Sequence, residues 1–163
     1  MATPALDRVA RLRPGTSGDL DEVMVVMEAA FGDRFGEAWT RSQCAGILPM
    51  AGVSLIVARD TEIGAVIGFS LSRTVADEAE LLLLAVTPSH HREGIGGLLL
   101  DDFMEHARAT GLARVHLEVR DGNRAVDMYL RAGFKPVGRR ANYYHARKGQ
   151  HFDALTLSQE LSS

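Results

Sequence analysis

LLLLAVTPSHHREGIGGLLL, residues 81–100, joins an unbroken apolar run to a glycine-rich one through the turn-forming segment Thr87–Glu93. A continuous run such as Leu81–Val86 is the pattern of a central strand covered on both faces, and Pro88 closes it. Gly94 opens a helix expected to reach Thr110, with Ile95, Leu98, Leu99, Phe103 and Ala107 on one stripe that only Asp102 interrupts. The result is a buried strand, a short turn and a helix start. Amides at a helix start are unpaired and partly positive, and glycine removes the side chains that would hold an anion away from them.

Working outward, the same logic orders the rest. Val9–Arg13 alternates and reads as a strand ended by Pro14-Gly15. A helix follows, capped by Thr16 or Ser17, with Leu20, Val23, Met24, Met27 and Phe31 on one face before Gly32. A second helix is expected over 37–48, ended by Pro49. Val53–Arg59 and Ile63–Thr74 form a hairpin about the Asp60–Glu62 turn, and Ala79–Val86 extends the sheet. Ala113–Arg120 alternates strictly, with Val115, Leu117 and Val119 on one face and Arg114, His116, Glu118 and Arg120 on the other. A short helix over 123–131 and strands at Phe134–Arg140 and His151–Gln159 complete the order β-α-α-β-β-β-α-β-α-β-β, an α/β fold with a mixed sheet.

Composition narrows the function classes. At 163 residues and without repeats or a Pro/Ser-rich linker, the chain is expected to be one domain over 1–163. The 18 basic against 21 acidic residues give −3, a balance that argues against nucleic acid as a partner. Residues 131–148 nonetheless hold six basic residues and no acid (Arg131, Lys135, Arg139, Arg140, Arg147, Lys148), for which a solvated face is the preferred reading. Cys44 is the only cysteine, which excludes an intrachain disulfide and a cysteine zinc site, and it reads as a buried apolar residue. His90-His91 has no further ligand at metal spacing, so no metal is expected. No apolar stretch approaches the ~20 residues of a membrane span or suits a signal peptide, so a cytoplasmic protein is expected.

A dinucleotide fingerprint would require glycine at position 99, which is Leu99, and a phosphate loop of the Walker type would require Lys-Ser/Thr where Gly97-Leu98 stands. His91-Arg92-Glu93-Gly94-Ile95-Gly96, between a strand and a helix, resembles instead the Gln/Arg-x-x-Gly-x-Gly/Ala motif of the GNAT family of N-acetyltransferases. The blocks ADEAELLLLAV, HREGIG, LEVRDGN, MYLRAGF, RRANYY and FDALTL follow in order and resemble its ribosomal-protein-alanine (RimI-type) branch over 76–161.

That resemblance implies a GNAT-like fold with an acetyl-CoA cleft between two splayed parallel strands, and direct attack of an amine on the thioester. Leu84, Ala85 and Val86 would then pair with the pantetheine amides. The turn of His91, Arg92, Gly94, Ile95, Gly96 and Gly97 would bind pyrophosphate, and Asn123 would also reach the cofactor. Glu118 corresponds to the general base, Tyr129 to the general acid, and Tyr143 and Tyr144 to residues bordering a peptide groove. The implied partners are acetyl-CoA and a protein or peptide N-terminus, with that of a ribosomal protein as the finer reading. A small amine or lysine side chain as acceptor, or a catalytically silent acyl-CoA-binding module, are the alternatives. Two positions depart from the family pattern: His91 replaces Gln or Arg, and one residue fewer separates Glu118 from Tyr129. His116, on the same strand face, is a rival base.

Overall fold

The computed structural model describes residues 9–161; the ends of the expected domain, and all but two residues of the amino-terminal stretch examined for a signal peptide, lie outside them. Its elements are β1 (Ala10–Pro14), α1 (Leu20–Phe31), α2 (Arg41–Ile47), β2 (Val53–Asp60), β3 (Val66–Val75), β4 (Glu78–Val86), α3 (Ile95–Ala109), β5 (Arg114–Arg120), α4 (Val126–Arg131), β6 (Lys135–His145) and β7 (His151–Glu160). This is the expected α/β order. The strands form one mixed sheet in the order β1-β2-β3-β4-β5-β7-β6, with β4 and β5 as its parallel pair, crossed over by α3.

Leu20, Val23, Val26 and Met27 of α1 pack with Cys44 against Leu55, Val57, Phe69, Leu71, Leu83 and Ala85 on one face of the sheet. On the other face, α3 sets Ile95 and Leu99 against Ala58 and Ile67, and Leu100, Phe103, Met104 and Ala107 against Leu81, Val115, Leu117 and Leu157. Each fully covered side chain of this size contributes about 1.5–3 kcal/mol relative to exposure. β4 is thus sandwiched, as its apolar run requires. Burial raises the pKa of the Cys44 thiol, in keeping with an inert core residue.

One irregularity interrupts the pairing of β3 with β4. Leu71 of β3 faces Leu83 while Ser72 faces Leu81, leaving Leu82 without a partner. The extra residue inverts the alternation, so Leu81 packs beneath α3 and Leu83 beneath α1. It falls at the level where the pairing of β4 with β5 ends.

Several boundaries differ from the sequence reading. α2 begins at Arg41 because Thr40 and Gln43 form a reciprocal capping box, which frees Glu37 from the helix. β3 begins at Val66, leaving Ile63 exposed in the turn. α4 starts at Val126, and β6 runs to His145 because bulges carry it past Arg140.

Candidate active site

β4 and β5 pair only from Glu78 opposite Arg114 to Leu81 opposite Leu117. Beyond that point they separate, and a cleft of about 710 Å³ opens between them. Leu84, Ala85 and Val86 line it; they pair with β3 on one edge, so their other edge faces the opening. On β5, His116 still lies in the paired part, opposite Glu80, and does not line the cleft. Glu118 is the first residue on that face past the separation, and it does.

The second wall is the turn into α3. Gly94 caps the helix at φ +83° with no side-chain cap, a left-handed conformation that favours glycine. The first helical hydrogen bond is Leu98 N–H to the Gly94 carbonyl at 3.0 Å, and among the described residues the amides of Arg92 through Gly97 donate to no carbonyl or carboxylate. Packing does not require glycine at positions 96 and 97. A Cβ on Gly97 would meet nothing within 4 Å, and one on Gly96 would meet Met128, Leu84 and Val86 no closer than 3.6 Å. Bare backbone with unpaired amides beside a helix terminus fits a diphosphate that must approach closely. His91 Nε2 donates to the Val86 carbonyl at 3.0 Å, tying the turn to the end of β4. His91, Arg92, Gly94, Ile95 and Gly96 line the cleft.

Carboxylates and phenols gather at the other end. The Glu118 side chain is 10% exposed, with Oε2 accepting from the Thr156 hydroxyl at 2.7 Å and Oε1 3.1 Å from Arg140 Nε. Tyr129 is buried, edge-on to Phe134 with centroids 5.9 Å apart. Burial, and secondarily the Glu37 carboxylate, push its pKa well up, so the phenol stays protonated. Tyr144 donates to the Glu118 carbonyl at 3.3 Å, and its pKa is raised by burial first and then by Glu37, Tyr143 and Glu118. Tyr143 packs edge-on against Tyr144 at 4.9 Å.

Glu37 is the residue that sequence reasoning missed. It enters the cleft from the segment between α1 and α2, its side chain 10% exposed, 3.2 Å from Arg120 Nε and accepting from Asn123 Nδ2 at 2.7 Å. The Arg120 guanidinium in turn lies 3.7 Å from the centre of the Phe35 ring, which meets Phe152 edge-on. Gly36 allows this crossing. It has φ +73°, and a Cβ there would lie 2.3 Å from the His145 carbonyl oxygen. The Thr40-x-x-Gln43 capping box was the available signal, because it excludes Glu37 from the helix.

The sequence model of the acetyltransferase (GNAT) family matches residues 20–134. The chain belongs to the acetyltransferase (GNAT) family. Among relatives of this GNAT chain, a protein of Haemophilus influenzae named [ribosomal protein bS18]-alanine N-acetyltransferase is 36% identical over 93 residues, 57% of this chain and 64% of that protein. The match thus spans slightly under two thirds of that relative. A mycothiol acetyltransferase of Propionibacterium freudenreichii is 35% identical over 147 residues, 83% of this chain and 46% of that protein. The crystal structure of the ribosomal-protein-alanine N-acetyltransferase of Escherichia coli superposes with a TM-score of 0.83 at 26% identity, covering 94% of this chain and 95% of that one.

In this GNAT chain the shortened segment after β5 is a tight turn. Asn123 N–H bonds the Arg120 carbonyl at 2.9 Å, with Gly122 at φ +93° between them. Asn123 therefore lines the cleft, but its side chain is engaged with Glu37 and with the Ala125 amide at 2.8 Å. The basic block is dispersed. Arg131 lines the cleft, Arg140 pairs with Glu118, Arg139 with Asp121 and Asp153, and Arg147 lies 3.7 Å from Asp33. His90 bonds Ser89 and lies 3.3 Å from Asp60. Among the described residues no group of three metal-ligating side chains converges, and no helix is long and apolar enough to cross a membrane.

Proposed function

We propose that this chain transfers the acetyl group of acetyl-CoA to the α-amino group of a protein or peptide N-terminus, a ribosomal protein being the leading candidate, by direct attack on the thioester. The observation that carries the reading is the single cleft that brings unpaired amides, a buried carboxylate and a buried protonated phenol together. The names of the H. influenzae and E. coli relatives support the acceptor class. A protein substrate of this kind is met in the cytoplasm.

Acetyl-CoA supplies an activated acyl carbon and a thiolate leaving group. The amides at Arg92–Gly97 bind its diphosphate, and the edge of Leu84–Val86 that β3 leaves open aligns the pantetheine arm by strand-like hydrogen bonds, beside the Val86 carbonyl that His91 holds. Glu118 accepts the amine proton, directly or through one water, and the Tyr129 hydroxyl protonates the departing sulfur. An α-amino group titrates near 7.7–8.0 against about 10.4 for lysine, so a buried carboxylate suffices for the first and works against a larger deficit for the second. The match to the P. freudenreichii protein over 83% of the chain favours, as a second reading, an acceptor other than a protein N-terminus.

Acetyl-CoA at about 100 times its dissociation constant should add ~2.7 kcal/mol of stability and raise Tm by about 5–10 °C. CoA should compete. A thermal scan without any shift at millimolar acetyl-CoA contradicts the donor assignment.

A further inference from the structure

Arg140 of β6 faces Ala154, and Tyr144 faces Phe152, so residues 141–143 stand opposite Asp153 alone. β6 therefore carries two extra residues at this level. In a regular strand neighbouring side chains point to opposite faces, yet Tyr143 and Tyr144 both line the cleft. The bulge is what permits it, and Asn142 absorbs the bend at φ +55°, a conformation that Asn tolerates better than most residues.

Asp153 holds this bulge from across the ladder. Its Oδ1 accepts the Asn142 amide at 2.9 Å and its Oδ2 accepts from Arg139 Nη1 at 3.0 Å. Arg139 Nη1 also donates to Asp121 Oδ2 at 2.7 Å, and the Asp121 amide bonds the Asp153 carbonyl at 2.9 Å. Asp121 directly follows the strand that carries Glu118. One carboxylate thus fastens the bulge to the end of β5.

We propose that Asp153 is a positioning residue for acceptor recognition: its carboxylate fixes the β6 bulge so that Tyr143 and Tyr144 together form the acceptor wall beside Glu118. The inference rests on the reading of the cleft given above. The Asn142 amide and Arg139 hold the Asp153 carboxyl below the usual carboxylate range, so it remains an acceptor throughout the working pH range. Among the described residues the polar partners of Asp153 are Asn142, Arg139 and Asp121, none of them in the donor turn, so its effect falls on the acceptor side of the cleft.

The test compares Asp153→Ala and Asp153→Asn with the parent chain. Asp153→Ala should raise the acceptor-peptide KM about tenfold, while the acetyl-CoA KM stays near the parent value. Asp153→Asn, which keeps an oxygen for the Asn142 amide and is expected to fold even if the alanine variant does not, should recover most of the loss. Amide exchange and ring contacts by NMR provide a readout independent of turnover: the alanine variant should lose protection at Asn142 and the Tyr143–Tyr144 ring contact. A folded alanine variant with parental acceptor KM, with both KM values raised equally, or with both NMR signatures intact would overturn the proposal. Should the parent acetylate no peptide, the acceptor reading fails by itself, and the NMR comparison still decides whether Asp153 fastens the bulge.

Discussion

Glu118→Gln is expected to lower kcat about 10²- to 10³-fold at pH 6.5, the lower part of the range for loss of a general base. At pH 9 the deficit should shrink to about tenfold or less, because an α-amino group with a pKa of 7.7–8.0 is already neutral there. The sign follows from the amine. Below its pKa a proton must be removed before attack and Glu118 supplies the acceptor; above it only the proton released during attack needs one. The glutamine retains an oxygen for the Thr156 hydroxyl, now 2.7 Å from Oε2, so the fold should tolerate the change. It loses the ion pair to Arg140, which is 62% exposed and so contributes little to stability. Steady-state rates across pH 6–9.5 measure the effect. A deficit independent of pH would assign Glu118 a positioning role instead.

Tyr129→Phe should slow the chemical step by about 10²-fold or more while leaving acetyl-CoA affinity near the parent value. The ring stays edge-on to Phe134, and burial with Glu37 nearby, rather than any hydrogen bond, is what perturbs the phenol. Removing the hydroxyl therefore leaves no stranded partner, and Tm should change by no more than the equivalent of about 1 kcal/mol. The raised pKa carries a further consequence. A phenol donates only below its pKa, so the parent should show no loss of activity from Tyr129 ionisation up to pH 10. Single-turnover rates with a peptide acceptor read both effects, and a parental rate in Tyr129→Phe would remove it from the acid role.

The strand-turn-helix core was legible because each part has a local cause: an apolar run too long for a one-sided strand, a proline, and glycines at a helix start. Glu118 was legible as the polar face of an alternating strand. Its distinction from His116 was not, because that depends on where β4 leaves β5, and the departure falls at one unpaired residue inside a run of four identical leucines. Nothing in Leu81–Leu84 marks Leu82 as the bulge. Glu37 lay in a segment without periodicity, and its partners Arg120 and Asn123 are distant in sequence.

Tyr143 and Tyr144 were placed together by resemblance, whereas strict alternation would have separated them. The reason lies in Asn142 and Asp153, and only the left-handed tolerance of Asn hinted at it. The basic block shows the same limit. Its run of like charge in sequence is dissolved in space by Asp33, Glu118, Asp121 and Asp153, contributed by three other parts of the chain.

The central claim is acetyl transfer to an α-amino group in the cleft between β4 and β5. Its most direct test is tandem mass spectrometry of a mixed panel, comprising peptides with free N-termini, N-terminally blocked lysine peptides, polyamines and amino acids, after incubation with acetyl-CoA. The account predicts acetylation confined to peptide α-amino groups, slowed about 10²- to 10³-fold in Glu118→Gln at pH 6.5. Product only on lysine side chains or small amines, or no product at all, would contradict it.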